Sequence, residues 1–408
     1  MKRIHLILTV LLVSFPLFPL IFSSITIIVW VIVSFIIAFR NRFKISKDKT
    51  GIFILFISIF FVFLFSLLWT ENLHEGLFFQ QKSLSLLVIP AGIILFSGNY
   101  DTKNTENIFR IFILSSLLIS IIPNALLIIK GFEDVYLAIH DQAYIYRTEF
   151  EKLSNLHPTY MAMLLLFAAL LKIHLVLKYW KSFSLAEKIF NCLVIGMLLT
   201  FSTFLASRTP LIAFSIALIV MILLKYRKWK IGIISISSVI IMLLISITMN
   251  ANMRLRINEG IKSVFVSPNN NDFNSTNLRW VIYKCSSSLI KKQWWCGYGS
   301  GDVQYELNKC YEGFEINEFS KRDFNSHNEY LHIWLCAGIL GFLIFCGILL
   351  IPLYMAIKNK DFLYAAFLIF CMICFMTENI LSRQIGVIFY SFFNALFAIR
   401  LGKYNLNS

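Results

Sequence analysis

The sequence predicts an all-α, polytopic membrane protein with about 12 transmembrane helices and one large extracytoplasmic loop. Three observations lead there. Of 408 residues, 58% are hydrophobic and only 14% charged, where a soluble domain carries about 25% charged residues. Apolar runs of about 17–25 residues, the length that crosses a hydrocarbon core, recur along the whole chain. The net charge of +15 sits mainly in short loops between these runs, the pattern of cytoplasmic loops. That distribution argues against nucleic acid as a partner.

Met1-Lys2-Arg3 and the apolar run after them have the charge order of a signal peptide. No small-residue cleavage site follows, so they read as a retained first span. Spans one and two cover roughly residues 4–22 and 24–39. Arg40, Arg42, Lys44, Lys47 and Lys49 place the next loop inside and fix the alternation that follows. Span three is about 51–69, span four about 83–97 and span five about 108–129. The loop with Glu71, His74 and Glu75 is then outside, as is the segment from Lys130 to His157 with Tyr136, His140, Tyr144, Tyr146 and Arg147. Span six starts at Pro158. Span seven ends at Ala206, and Ser207-Arg208-Thr209-Pro210 forms a short outer hairpin into span eight. Span nine is about 231–249, and the long segment 250–327 lies outside. Span ten follows, and spans eleven and twelve flank an outer loop from Glu378 to Arg383. The C-terminus is inside. Residues 1–189 form an N-terminal set of six spans, and residues 190–408 a core with the long loop.

That loop is the longest polar segment of the chain. It holds Cys285, Cys296 and Cys310, an odd number that permits at most one bridge, and Cys296–Cys310 is the suggested pair. Gly297-Tyr298-Gly299-Ser300-Gly301 lacks the Lys-Ser/Thr ending of a phosphate loop and reads as a flexible turn. Asp302, Glu306, Glu312, Glu315 and Glu318 read as a solvated acidic face. No metal-ligand spacing stands out, so no metal or cofactor is expected.

The loop ends in Ser326-His327-Asn328-Glu329-Tyr330, which reads as a capping box with Ser326 as N-cap and Glu329 at the third helical position. His327 then lies in the first turn of span ten. The positive helix end disfavours an imidazolium, and a neutral imidazole can serve as a general base. An interfacial histidine bonded to headgroups is the other reading. Arg208 stands just before Thr209, a candidate N-cap, and Pro210 at the first helical position. A cation there invites an anion, because helix N-termini and arginine forks both bind phosphate. Snorkelling to headgroup phosphates is the alternative. Arg279 falls early in a helix over about 276–290 capped near Ser275 or Thr276.

Taken together, these motifs resemble the O-antigen ligase and polymerase superfamily. The resemblance rests on Ser207-Arg208 in a short outer hairpin and on Arg279-Trp280 opening the long loop. It also rests on Gly297-Tyr298-Gly299, and on Ser326-His327-Asn328-Glu329-Tyr330-Leu331 with Gly338 and Gly341 beyond it. His157-Pro158-Thr159-Tyr160 recurs in similar chains. The resemblance is firmest over about 190–400 and covers the earlier spans by topology alone. It implies a metal-independent membrane glycosyltransferase of the bacterial cytoplasmic (inner) membrane, its active site facing the periplasm. The donor would be an undecaprenyl-diphosphate-linked glycan, and the acceptor lipid A-core, another glycan or a protein. Arg208 and Arg279 would bind the diphosphate and His327 would activate the acceptor hydroxyl. His157, Tyr160, Asn328, Glu378 and Arg383 would support the site. Within the superfamily, a polymerase that joins lipid-linked repeat units is the alternative to a ligase. From another class, a flippase or transporter of lipid-linked sugars is the competing reading. It should place ionisable groups at mid-membrane, whereas the candidates here sit at span ends.

Overall fold

A computed structural model describes residues 2–40, 47–96, 100–131, 143–226 and 275–401, apart from 315, 317, 318, 320 and 322, together with 254 and 258. The expected ninth span, most of residues 250–274, and Tyr136 and His140 lie outside the described residues.

The described chain is helical, with no strand in it. In a bilayer this follows from the backbone, since only a helix or a closed barrel satisfies its N–H and C=O groups without water. The helices are α1 (Lys2–Val13), α2 (Leu20–Arg40), α3 (Lys47–Ser66), α4 (Leu73–Ser83) and α5 (Ser85–Leu95). Then come α6 (Thr102–Lys130), α7 (Ala143–Ser154), α8 (Pro158–Tyr179), α9 (Leu185–Phe204) and α10 (Arg208–Tyr226). The last five are α11 (Ser275–Lys292), α12 (Val303–Glu312), α13 (Glu329–Lys358), α14 (Phe362–Phe375) and α15 (Gln384–Leu401).

Among the described residues, nine helices are long and apolar enough to cross a membrane. They correspond to expected spans two to eight, ten and twelve. Expected span one is cut short: α1 stops at Val13, and a 3-10 turn over Phe15–Leu17 with Pro16 follows. Proline has no N–H to continue the helical ladder. Expected span eleven is α14, an apolar helix of 14 residues, short of the roughly 20 that cross a hydrocarbon core. Span four starts earlier than its apolar run, because Asn72 caps α4 by accepting the Glu75 N–H. The candidate span is therefore Leu73–Leu95.

α8, α14 and α15 form the centre. Most of their residues are buried, whereas those of α2, α3 and α9 are mostly not. Phe167 of α8 meets Phe367 of α14 and Phe389 and Phe393 of α15 at ring-centroid distances of 4.8–5.2 Å. With no water to expel, this interdigitation of rings is what joins helices in lipid. α10 packs on α14, α5 on α15, and α3 on α13. One consequence governs the rest. The starts of α8, α10, α13 and α15 and the end of α14 all lie at the same end of the bundle.

Candidate active site

Span ten does not begin as its sequence suggests. Asn328, and not Ser326, is the N-cap of α13: its side chain accepts the Leu331 N–H at 3.1 Å. Glu329 is the first helical residue, and its carboxylate accepts the Leu381 N–H at 2.7 Å. The capping box fails because both polar side chains find tertiary partners in the loop between α14 and α15. Ser326 Oγ lies 3.0 Å from the Asn328 carbonyl and 3.1 Å from Asn379 Oδ1, and it accepts from Asn379 Nδ2. Asn379 Oδ1 also accepts the Asn328 N–H at 2.7 Å. His327 therefore stands before the first helical turn, with φ +43°. Left-handed backbone is strained for a β-carbon residue and persists only where surroundings enforce it. Here the enforcing contacts are the Asn325 side chain, which accepts the His327 N–H, and the Tyr283 hydroxyl, which donates to the His327 carbonyl.

The side chain so presented meets Glu378. His327 Nδ1 is 3.4 Å from Glu378 Oε2. Nδ1 makes no hydrogen bond to a described residue, and Glu378 Oε2 is the carboxylate oxygen it faces. Arg279, from the first turns of α11, reaches the other oxygen: Nη2 is 3.1 Å from Glu378 Oε1 and 3.3 Å from the Thr377 carbonyl. α11 begins at Ser275, so the expected cap at Ser275 or Thr276 is already helix. Both contacts run through Nη2. Glu378 is nearly buried, at 12% exposure. Burial alone would push its carboxyl up. The contact with His327 and the charges of Arg279 and His157 outweigh that and hold it below the usual carboxylate value.

His157, Tyr160 and Arg383 lie beside this trio. His157 caps α8, its Nδ1 accepting the Thr159 N–H, with Pro158 in the first turn. Burial is the main cause that lowers its imidazole to about 4, despite the opposing pull of Glu378, so it is neutral. Tyr160 donates to the Asn379 carbonyl at 2.9 Å, and Arg383 lies over its ring at 5.7 Å. Arg208 opens α10, which places Thr209 and Pro210 inside the first turn, so Thr209 is not the cap. Proline is tolerated there because first-turn N–H groups need no helical partner. Thr209 and Pro210 line a narrow cavity together with Tyr160, Thr377 and Glu378. The Arg208 hairpin thus borders the Glu378 loop, and Arg147 of α7 holds it there by donating to the Leu205 and Ala206 carbonyls at 2.8 and 3.3 Å.

Residues 294–302 are a latch, which corrects the reading of a flexible turn. α13 is broken at Ala337 and Gly338, whose φ/ψ angles are −133°/16° and 63°/−162°. A break within a span frees backbone groups that lipid cannot satisfy. The latch supplies their partners. Tyr298 and Gly299 N–H groups donate to the Leu335 and Cys336 carbonyls at 2.7 and 3.0 Å, and Ile339 N–H donates to the Trp294 carbonyl at 3.0 Å. Gly338 is needed twice: its φ is positive, and a Cβ would collide with the Trp295 carbonyl. Asp302, expected on a solvated face, accepts the Glu71 and Asn72 N–H groups at 2.7 and 2.9 Å. The bridge is Cys285–Cys310, not Cys296–Cys310, with Cα atoms 5.8 Å apart. α11 and α12 pack side by side and bring these two together, while Cys296 is exposed at the latch.

Sequence reasoning missed Tyr283 and Asn379, and it gave Glu378 only a supporting place. The available signal was a Glu-Asn pair interrupting two apolar runs, and a tyrosine one turn after Arg279.

The class is defined by this arrangement: a multi-pass helical membrane protein in which an imidazole and a guanidinium from separate elements meet one carboxylate in the loop between α14 and α15. Residues 192–346 match the family model described as O-Antigen ligase, which supports membership of the O-antigen ligase superfamily. The match takes in Arg208, Arg279 and His327 and stops before Glu378. No curated protein matches the chain. The match, which covers less than half of the chain, supports a role in surface-glycan biosynthesis.

Proposed function

We propose that the protein transfers a glycan from a lipid diphosphate, of the undecaprenyl class, to an acceptor hydroxyl at the outer face of the cytoplasmic membrane. One observation carries this reading: His327 and Arg279, from different elements, both contact the single buried carboxylate of Glu378. Glu378 orients the imidazole through Nδ1, which leaves Nε2 to take the proton of the acceptor hydroxyl. The acceptor oxygen attacks the anomeric carbon, and its C–O bond forms on the face opposite the leaving group. The bond from that carbon to the diphosphate oxygen breaks, its electron pair stays on the diphosphate, and the sugar is inverted. Arg279 and Arg208 stabilise the charge that builds there. They supply that charge without a metal. The disulfide Cys285–Cys310 suits an oxidising compartment and so supports the outward orientation.

The test is glycan transfer by His327→Ala at matched membrane levels. Loss of a general base should lower transfer about 10²–10⁴-fold; wild-type surface glycan would remove His327 from the mechanism. A deletion strain separates the two acceptor classes. Finished polymer left on the lipid carrier indicates a ligase. Single repeat units on the acceptor indicate a polymerase.

A further inference from the structure

A second cavity, of about 440 Å³, lies between α2, the α4–α5 junction and the start of α15. It does not share a lining residue with the cavity beside Glu378. Its chemistry changes along its length. Ser24, Gln81, Lys82 and Gln384 line it near the start of α2 and of α15, where Gln384 Nε2 donates to Ser24 Oγ at 2.6 Å. Deeper along the same helices the walls are Ile28, Val31 and Ile32 of α2 and Val88 of α5. The groove is thus polar at the end of the bundle that holds the site and hydrocarbon below it, as an outer leaflet is.

It also opens sideways. Ile28, Ile32 and Phe78 are 59%, 53% and 50% exposed, and in a membrane-spanning bundle such faces meet lipid. The polar end is cationic. Lys82 Nζ lies 3.9 Å above the Phe78 ring, and Glu75 and Arg383 are the charged groups near it. Two neighbouring cations at headgroup level attract an anion. The surrounding bilayer supplies one by mass action, as a phosphate diester carrying its own hydrocarbon.

We propose that this groove binds an anionic phospholipid, its phosphate held by Lys82 within the positive potential that Arg383 adds, and an acyl chain laid along α2 and α5. Arg383 belongs to the loop that carries Glu378. The proposal rests on the membrane-embedded fold and not on the reaction proposed above.

The experiment uses the full chain in detergent, with native mass spectrometry and thermal melts on adding dioleoyl-phosphatidylglycerol or the phosphatidylcholine with the same chains. Phosphatidylglycerol should be retained and raise the melting temperature, and phosphatidylcholine should do neither. Lys82→Gln should bind phosphatidylglycerol about fivefold more weakly, as expected for one lost headgroup cation. Ile28→Trp should fill the groove and release the lipid, while Ile212→Trp, on an exposed face of α10, retains it. If Ile28→Trp folds poorly, Val88→Phe fills the same space from the other wall. Equal binding of the two lipids, or unchanged binding in Lys82→Gln, overturns the proposal. Tighter binding of a prenyl phosphate overturns the phospholipid in favour of the donor's chain. Conversion of a dimer to a monomer by Ile28→Trp overturns it in favour of a second copy.

Discussion

Glu378 joins three parts of the chain that are far apart in sequence, and its charge is what joins them. Glu378→Gln keeps the shape and removes the attraction for His327 and Arg279. Transfer should fall about 10–100-fold, less than in His327→Ala, because the base survives while its orientation is lost. An activity assay at matched expression decides it, and a wild-type rate would reduce Glu378 to a structural group. His157 behaves differently, since it is half-buried and neutral. Its imidazole sits at about 4 against an ordinary 6.5, so between those values the unfolded chain binds the extra proton. Stability should therefore fall as pH drops from 6.5 towards 4. His157→Asn retains an N-capping side chain and should flatten that part of a melting-temperature profile. An unchanged slope would mean that another group titrates there.

At the scale of elements, the latch and broken α13 depend on each other. The break alone would leave the Leu335 and Cys336 carbonyls without N–H partners in an apolar setting, and the latch alone would have no strand of free groups to bind. Gly338→Ala adds a Cβ at φ +63°, against the Trp295 carbonyl. It should cost about 2 kcal/mol or more, from strain and lost packing, seen as a lower melting temperature. Gly196→Ala, with nothing near its Cβ, is the control and should melt as wild type does. Local sequence showed the glycines here but not their use. A Gly-Tyr-Gly-Ser-Gly run looks flexible when read alone, and only its docking against a span 40 residues later makes it rigid. Likewise Ser326 and Glu329 have capping-box spacing, yet tertiary partners in the α14–α15 loop claim both side chains.

For the whole molecule, the proposed reaction requires the site to face outward. Cys296 gives a direct measurement, since it is free and exposed at the latch. A membrane-impermeant maleimide should label it on spheroplasts without lysis, and Cys296→Ser should remove that labelling. Labelling only after lysis would turn the entire bundle over and with it the proposed reaction. Helix existence, the approximate places of most spans, and the candidates Arg208, Arg279 and His327 were legible from apolar runs, basic loops and short motifs. Those signals are local, with periods of a few residues or lengths set by bilayer thickness. The disulfide pairing, the role of Asn379 and the centrality of Glu378 were not legible. Each is a contact between segments 25 to about 100 residues apart, and no local period records such a contact. What the sequence by itself determined is a helical membrane chain with basic and imidazole groups at helix starts. What only the tertiary structure decided is that those starts share one end of the bundle, where a single buried carboxylate can hold an arginine and a histidine at once.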